Sequence, residues 1–223
     1  MPQTARQLRG PLGKGLLIAF MGLPGSGKSS TARALSRLIP NSSLFPEPEE
    51  DKWPPAVLDR HKCGYLTAIT WFRSMRVPSL YTADVQRQSG TIAIVDSYYD
   101  KLTADYIDHP AMAWLIPQDD MYFSAFKQVA VIDKSALPIA DCLIFLNVNP
   151  DVWKKLLSTR QRAMEQEELF LKSFPGQERF LAASRAFANE THTPLIVHEQ
   201  QVGSADATAQ EILLKLRGIK LLT

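Results

Sequence analysis

A glycine-rich segment near the N-terminus has the residue types needed to hold a chain of phosphates. Residues 22–30 match the pattern G-x-x-x-x-G-K-[ST] at every fixed position. Glycine permits the positive φ angles that turn successive backbone N–H groups toward one anion. In such a loop Lys28 can reach the β- and γ-phosphates, and the Ser29 hydroxyl can bind Mg²⁺. We therefore predict an ATP site formed by Gly22, Leu23, Pro24, Gly25, Ser26, Gly27, Lys28, Ser29 and Ser30.

The elements that must position this loop alternate between strand and helix. An apolar run, Leu16–Met21, leads into the glycines and predicts a buried strand, and Lys28–Ile39 predicts a helix that Pro40 ends. Further strands are predicted at Ser43–Phe45, Thr91–Val95, Cys142–Val148 and Pro194–Val197. The alternation predicts an α/β three-layer sandwich of the P-loop NTP hydrolase type, in which helices cover both faces of a parallel sheet of about five strands.

Helical patterns fill most of the remaining chain. They are predicted at Cys63–Arg76, Leu80–Arg87, Asn149–Arg162, Gln177–Asn189 and Ala205–Leu216. No break in composition divides the chain, so we predict one domain over residues 14–223, after a flexible leader over residues 1–13. A polar stretch at about residues 160–178 is predicted to be a helical lid.

Composition gives no sign of a nucleic-acid or membrane partner. The net charge of the 223 residues is only +2, and the basic residues are scattered without a block of like charge, so no nucleic-acid partner is expected. The apolar run before the glycines is too short to span a bilayer, so no membrane partner is expected. Cys63 and Cys142 lie far apart and make neither a disulfide framework nor a zinc pattern, which favours reduced thiols and a cytoplasmic protein.

The residues around the loop separate the classes of protein that share it. A switch GTPase would carry the strings N-K-x-D and D-x-x-G, and neither occurs in this sequence. A motor ATPase usually has a second acidic strand that ends in Asp-Glu, whereas here the apolar run Ile92–Val95 is followed by Asp96 and Ser97. The pattern therefore favours a kinase that phosphorylates a small molecule.

Three more segments carry a resemblance to a known family. They are Phe45-Pro46-Glu47-Pro48 with Trp53 after it, Val95-Asp96-Ser97-Tyr98-Tyr99, and the run Asp141–Asp151 that leads to Arg160-Gln161-Arg162. In this order, over about residues 15–200, the sequence resembles the thymidylate kinase and deoxynucleoside kinase group. The resemblance implies ATP and Mg²⁺ as cofactors and a small-molecule phosphoryl acceptor. It also implies a possible homodimer.

The resemblance assigns roles by position. Glu47 would be the general base on the accepting hydroxyl, and Asp96 would hold Mg²⁺ together with Ser29. Arg160 and Arg162 match the arginine-rich lid of the family, where a guanidinium can bind two oxygens of the transferring group. Purely structural roles are the alternative. Asp96 can cap the turn after its strand, and the two arginines can stabilise the C-terminus of a helix through its dipole.

The acceptor side of the resemblance is less regular. Ser97 stands where the family motif has an arginine, so Arg73 or Arg76 on the preceding helix would have to supply that charge. Trp53, Trp71, Phe72 and Tyr98 could stack on a base, although aromatic side chains more often pack in the core. The predicted substrate site consists of Glu47, Trp53, Arg73 and Tyr98.

Three functions remain open at this point. The first is a kinase for a nucleoside or a nucleoside monophosphate. The second is a P-loop kinase for another small acceptor, such as an antibiotic, a sugar or a cofactor precursor, which the serine at position 97 favours. The third is a nucleotide-binding regulator without catalysis.

Overall fold

The computed structural model describes residues 15–158 and 173–222 and is built around a parallel sheet. Its strands are β1 (Leu16–Gly22), β2 (Ser42–Phe45), β3 (Ile92–Val95), β4 (Cys142–Asn147) and β5 (Leu195–Glu199). All four neighbouring pairs are parallel, and the strand order is β2-β3-β1-β4-β5. The predicted fold class, a parallel sheet of about five strands between two helical layers, is confirmed.

Helices cover both faces of the sheet. In the described part of the chain they are α1 (Lys28–Leu38), α2 (Pro55–Leu58), α3 (Arg60–Cys63), α4 (Tyr65–Gln88), α5 (Tyr99–Leu102), α6 (Phe123–Ala136), α7 (Pro150–Ser158), α8 (Gly176–Thr191) and α9 (Ala205–Gly218). On one face α1 and α9 bury the side chains of Ile18 and Phe20. On the other face α4 and α8 bury Leu17, Ala19 and Met21. Because β1 is covered on both sides, every one of its residues is buried.

One long helix replaces two predicted ones. The sequence predicts two helices here, Cys63–Arg76 and Leu80–Arg87, and this division is wrong, because α4 runs without a break over Tyr65–Gln88. Pro78 lies inside it and has no N–H to donate to the preceding turn. Beyond the proline, Leu80 and Ala83 are buried in the main core cluster, which holds the second half of the helix against the sheet.

The strand order brings the chemistry-bearing segments to one edge of the sheet. Strand β1 lies between β3 and β4, so the glycine loop that follows it begins beside the residue that follows β3. Strand β2 is joined to this edge as well, because the backbone N–H of Asp96 donates to the carbonyl of Phe45 at 3.2 Å. The site is therefore built at the carboxyl ends of β1, β2 and β3, where open α/β sheets bind ligands.

Part of the predicted domain layout falls beyond the described residues. The predicted leader, residues 1–13, and most of the predicted lid at 160–178 lie outside them. After the gap, the chain resumes with a turn at 173–175, and α8 begins at Gly176. Over residues 15–158 and 173–222, no helix is long and apolar enough to cross a bilayer. The leader, the lid and the single-domain boundaries stay predictions.

Candidate active site

The glycine loop makes a tight curl between β1 and α1. Its glycines take positive φ angles, 79° at Gly25 and 90° at Gly27, which residues with a side chain rarely adopt. A Cβ atom at Gly25 would also lie 2.5 Å from the Cδ2 atom of Leu157. The motif therefore needs glycine at this position both for the backbone angle and for the close approach of α7. This curl precedes the N-terminus of α1, which is a favourable place for an anion.

A buried tryptophan on α7 anchors the loop. Trp153 is fully buried, and its indole N–H donates to the carbonyl of Pro24 at 2.9 Å. Its ring lies 5.5 Å from that of Phe174, so the loop, α7 and the start of the segment before α8 are held together. Local sequence carries no signal for this contact, because the two partners are far apart in the chain.

Lys28 lies over the middle of the curl. Its ammonium donates to the carbonyls of Gly22 at 3.1 Å and Leu23 at 2.9 Å, and it sits 5.1 Å from the centre of the Tyr99 ring. The Tyr99 hydroxyl also donates to the Gly22 carbonyl, at 2.6 Å. The positive charge is thus placed at the loop, with only 5% of the residue exposed. Ser29 lines the cavity beside it, whereas Ser30 is exposed and Leu23 is buried in the core.

Asp96 is a buried carboxylate of which one oxygen accepts a hydrogen bond. The residue is 1% exposed, and its Oδ1 accepts a hydrogen bond from the backbone N–H of Glu47 at 2.9 Å. Its Oδ2 is buried and has no hydrogen-bond partner among the described residues. Burial, and then the negative charge of Glu47, raises the pKa of Asp96 to about 7, while Ser29 and Lys28 oppose this rise. A buried free carboxylate oxygen beside a serine hydroxyl is a donor set that suits Mg²⁺.

Glu47 is held from two sides. Its backbone N–H is bound by Asp96, and its Oε1 accepts a hydrogen bond from Nη1 of Arg76 at 3.1 Å. Arg76 also donates to both oxygens of Asp100, at 2.6 and 3.2 Å. The Arg76 side chain is only 13% exposed, so its charge is balanced by two carboxylates away from bulk water. The carboxylate of Glu47 is therefore fixed in place next to the loop.

A cavity of about 170 Å³ joins these groups to an aromatic chamber. Its polar lining includes Lys28, Ser29, Glu47, Arg76 and Asp100. The rest of the lining is mainly apolar and aromatic, with the side chains of Trp53, Ile69, Phe72, Tyr106, Trp114, Leu115, Phe126 and Phe180. A concave apolar space with a few polar groups is typical of a small-molecule site, and the ring faces suit a planar group.

The structure brings most of the predicted site residues together. Lys28, Ser29, Glu47 and Trp53 all line the cavity, and Asp96 lies against them. The indole N–H of Trp53 donates to the carbonyl of Pro48 at 3.0 Å, and its ring packs edge-on against Phe72. Arg160 and Arg162 lie outside the described residues.

Tyr98 does not belong to this group. It is buried in the core, where its hydroxyl donates to the carbonyl of Pro138 at 2.7 Å and accepts from the N–H of Ala140 at 3.0 Å. Its ring packs against Phe187. The expectation that Tyr98 contacts the substrate is therefore corrected, because the adjacent Tyr99 lines the cavity instead.

Arg73 is likewise used elsewhere. Its guanidinium makes two hydrogen bonds of 2.6 Å to Asp133 on α6, and the cavity lining does not include it. The arginine one turn further along α4, Arg76, is the one that reaches Glu47. Of the two candidates for the missing positive charge, the structure thus places Arg76 at the cavity. The sequence could not show which of the two arginines reaches the cavity, because the carboxylates that bind them are far away in the chain.

The parallel sheet with the glycine loop between β1 and α1 is a P-loop type of α/β fold. Among solved structures it resembles a thymidylate kinase from Candida albicans (TM-score 0.59, 17% identity), with 94% of this chain and 95% of that chain covered. It also resembles a deoxyadenosine kinase from M. mycoides with bound dCTP (TM-score 0.64, 18% identity), covering 91% of this chain and 100% of that one. The same enzyme with bound dATP gives a TM-score of 0.63 at 18% identity and covers 91% and 99%.

No protein-family model matches the sequence, and no curated protein matches it. The structural likeness thus reaches along nearly the whole chain while the sequences have diverged widely. The predicted resemblance is confirmed at the level of the fold, which is that of the thymidylate kinase and deoxynucleoside kinase group.

Proposed function

We propose that this protein is a kinase that transfers the γ-phosphoryl group of ATP to a nucleoside or a nucleoside monophosphate. The observation that carries the proposal is that one cavity is lined by the loop lysine Lys28, by the carboxylate-bearing Glu47 and by a set of aromatic rings. Such an arrangement lets a phosphoryl donor and a planar acceptor meet at one carboxylate. The fold shared with a thymidylate kinase and a deoxyadenosine kinase supports it.

The donor side would be held by the loop. Backbone N–H groups of the glycine loop and the ammonium of Lys28 would bind the phosphates, because they form a positive cradle at the start of a helix. Ser29 and Asp96 would hold Mg²⁺, and the free Oδ2 of Asp96 is the oxygen available for it. When bound, this ion neutralises charge on the transferring phosphoryl group. Arg160 and Arg162 are proposed, from sequence, to bind the same group as the lid closes.

The acceptor side would be organised by Glu47. As a general base it would take the proton from an accepting hydroxyl, which makes that oxygen a better nucleophile. Arg76 keeps the carboxylate of Glu47 oriented, and Tyr99 connects this region to the loop through Gly22. Trp53 and Phe72 would hold the planar part of the acceptor.

A second candidate is a P-loop kinase for another small acceptor. It is favoured by Ser97, which stands where the related kinases carry an arginine and whose buried hydroxyl has no hydrogen-bond partner among the described residues. A site without that arginine has lost a bidentate contact for an acceptor phosphate or for the transferring group. The same donor chemistry would then serve a different alcohol.

An ATP-consumption assay against a panel of nucleosides, nucleoside monophosphates and other alcohols tests the proposal. Turnover with a nucleoside or a nucleoside monophosphate supports the first candidate, and turnover only with another alcohol supports the second. Lys28→Ala should abolish transfer in either case while circular dichroism stays unchanged, because the lysine contacts loop carbonyls rather than the core. Tight ATP binding without turnover of any acceptor would mean a regulator and refute both.

A further inference from the structure

The cavity contains a second arginine whose charge has no partner in the described chain. Arg60 lies on the short helix α3 and lines the cavity. Its Nε is buried without a hydrogen-bond partner, and no described carboxylate lies within 4.0 Å of its guanidinium. Arg76, the other lining arginine in the described part, binds two carboxylates instead. Of the two arginines in this cavity, the charge of Arg76 is thus balanced by carboxylates and that of Arg60 is not balanced by any described carboxylate.

The acidic residues nearest to Arg60 in the chain are occupied elsewhere. Asp59, which precedes it, binds the ammonium of Lys62 at 2.7 Å. Glu49, which also lines the cavity, binds Arg33 at 3.2 Å. The fold therefore leaves Arg60 uncompensated although carboxylates are close in sequence. A partly buried guanidinium that is not paired costs free energy, so a fold keeps one mainly where a ligand supplies the opposite charge.

Arg60 shares its cavity with apolar side chains. Ile69 and Phe126 line the same cavity, and they belong to a small cluster on which Tyr65 and Leu66 at the start of α4 pack. Burial lowers the pKa of the Arg60 guanidinium, and interaction with Tyr65 partly opposes this. In such surroundings an anion would be bound more strongly by the guanidinium than on an exposed surface.

Arg60 lies on the short helix before α4, whereas Arg76, which binds Glu47, lies about three turns into α4. Helix α4 rises about 1.5 Å per residue, so the backbone of Tyr65, close to Arg60, is about 16 Å from that of Arg76, which binds Glu47. An acceptor that presents its reacting oxygen to Glu47 would therefore bring a different part of the molecule toward Arg60. The chemistry of that part is what Arg60 would recognise.

We propose that the acceptor carries a negatively charged group, a phosphomonoester or a carboxylate, that is separate from the oxygen that is phosphorylated, and that Arg60 binds this group. The inference rests on the proposed function, which it narrows to anionic acceptors. A guanidinium offers only donors, and its planar fork matches the two oxygens of a carboxylate or a phosphate.

Matched pairs of acceptors test this inference. The pairs are thymidine with thymidine 3′-monophosphate, and para-hydroxymethylbenzamide with para-hydroxymethylbenzoate. We expect kcat/KM to be about a hundredfold higher for the charged member of at least one pair, because a charge-assisted contact in an apolar site is then gained. The pair that shows the effect tells a phosphomonoester from a carboxylate. Equal kcat/KM within both pairs would overturn the inference.

Variants of Arg60 connect the preference to the residue. In Arg60→Met the preference should disappear, mainly through KM of the charged acceptor, and Arg60→Lys should restore part of it because the charge returns without the fork. The matched control is Arg73→Met, which removes an arginine that is bound to Asp133 outside the cavity. That control should keep the preference. A preference that survives in Arg60→Met would contradict the assignment.

Thermal unfolding without any acceptor gives an independent readout. Arg60→Met should raise Tm by about 2–4 °C, because an unpaired charge leaves the cavity wall. Arg73→Met should lower Tm by roughly 6 °C or more, because it strands the buried Asp133. A fall of Tm in Arg60→Met would show a structural arginine and end the proposal.

The same measurement separates this inference from the proposed function. Thymidine 3′-monophosphate should raise the Tm of the unmodified protein more than thymidine does, and this difference should vanish in Arg60→Met. If that result is obtained and no acceptor is ever phosphorylated, the proposed kinase reaction fails while the anion site stands. If neither thymidine 3′-monophosphate nor para-hydroxymethylbenzoate stabilises the protein more than its uncharged counterpart does, the anion site fails.

Discussion

The buried carboxylate of Asp96 should cost the protein stability above neutral pH, and this effect can be measured. Because burial and Glu47 raise the pKa of Asp96 from 3.8 to about 7, the folded state binds this proton more tightly than the unfolded state does. Its contribution to the free energy of unfolding is then highest below about pH 4. It falls as the pH rises toward 7 and stays constant above that.

The size of the effect follows from the pKa. The interval from 3.8 to about 7, at about 1.4 kcal/mol for each step of one in pKa, corresponds to about 4 kcal/mol. In Asp96→Asn the side chain is uncharged at every pH, and its amide oxygen can still accept the N–H of Glu47. The variant should match the unmodified protein at about pH 4 and be more stable by up to about 4 kcal/mol at about pH 8.

Urea denaturation followed by tryptophan fluorescence at several pH values measures this difference directly. The matched control is Asp100→Asn, which breaks a buried ion pair with Arg76 and should lower the free energy of unfolding by about 3–5 kcal/mol. The reasoning is refuted if Asp96→Asn is destabilised at about pH 8, or if its difference from the unmodified protein does not change with pH. Phosphoryl transfer should nevertheless fall at least about a hundredfold in Asp96→Asn, because the proposed Mg²⁺ ligand is lost.

Three further outcomes are expected. Glu47→Gln should lower kcat by about 10²–10⁴-fold with little change in the KM for ATP, and a normal kcat would exclude Glu47 as the base. Gly25→Ala should weaken ATP binding at least about tenfold in calorimetry, because its Cβ would meet Leu157 at 2.5 Å and its φ of 79° is strained. Tyr98→Phe should lower Tm and leave the kinetics unchanged, whereas Tyr99→Phe should raise the KM for ATP by freeing the loop carbonyl. A kinetic defect in Tyr98→Phe alone would show that Tyr98, and not Tyr99, acts in the site.

The phosphate loop and the sheet could be predicted because their signals are local. The loop pattern stands between an apolar strand and a helix, and glycine is needed there for backbone angles that depend on neighbouring residues alone. The strands are continuous apolar runs because both faces of a parallel sheet are buried. Asp96 directly follows β3, so it could be expected at the carboxyl edge of the sheet, where ligands bind in such folds.

The continuity of α4 through Pro78 could not be predicted in this way. Proline interrupts the hydrogen bonding of a helix, so the sequence favours two segments. Burial of Leu80 and Ala83 against the sheet outweighs that local preference, and the helix continues. Because the helix is continuous, its second half, which is held in the core, fixes the direction of the first half, which carries Arg76.

The phosphate-binding loop could thus be recognised from the sequence alone, because it is formed by neighbouring residues that end with Lys28. Which of several similar side chains reaches the site is decided only by the tertiary structure. Arg73 and Arg76 are both arginines on one helix, yet Asp133 on α6 binds the first, and Glu47 and Asp100 bind the second. Arg60 has no such partner in the described chain. Charges at these sites are paired across long sequence separations, and the distances that govern Coulomb interactions exist only once the layers have packed.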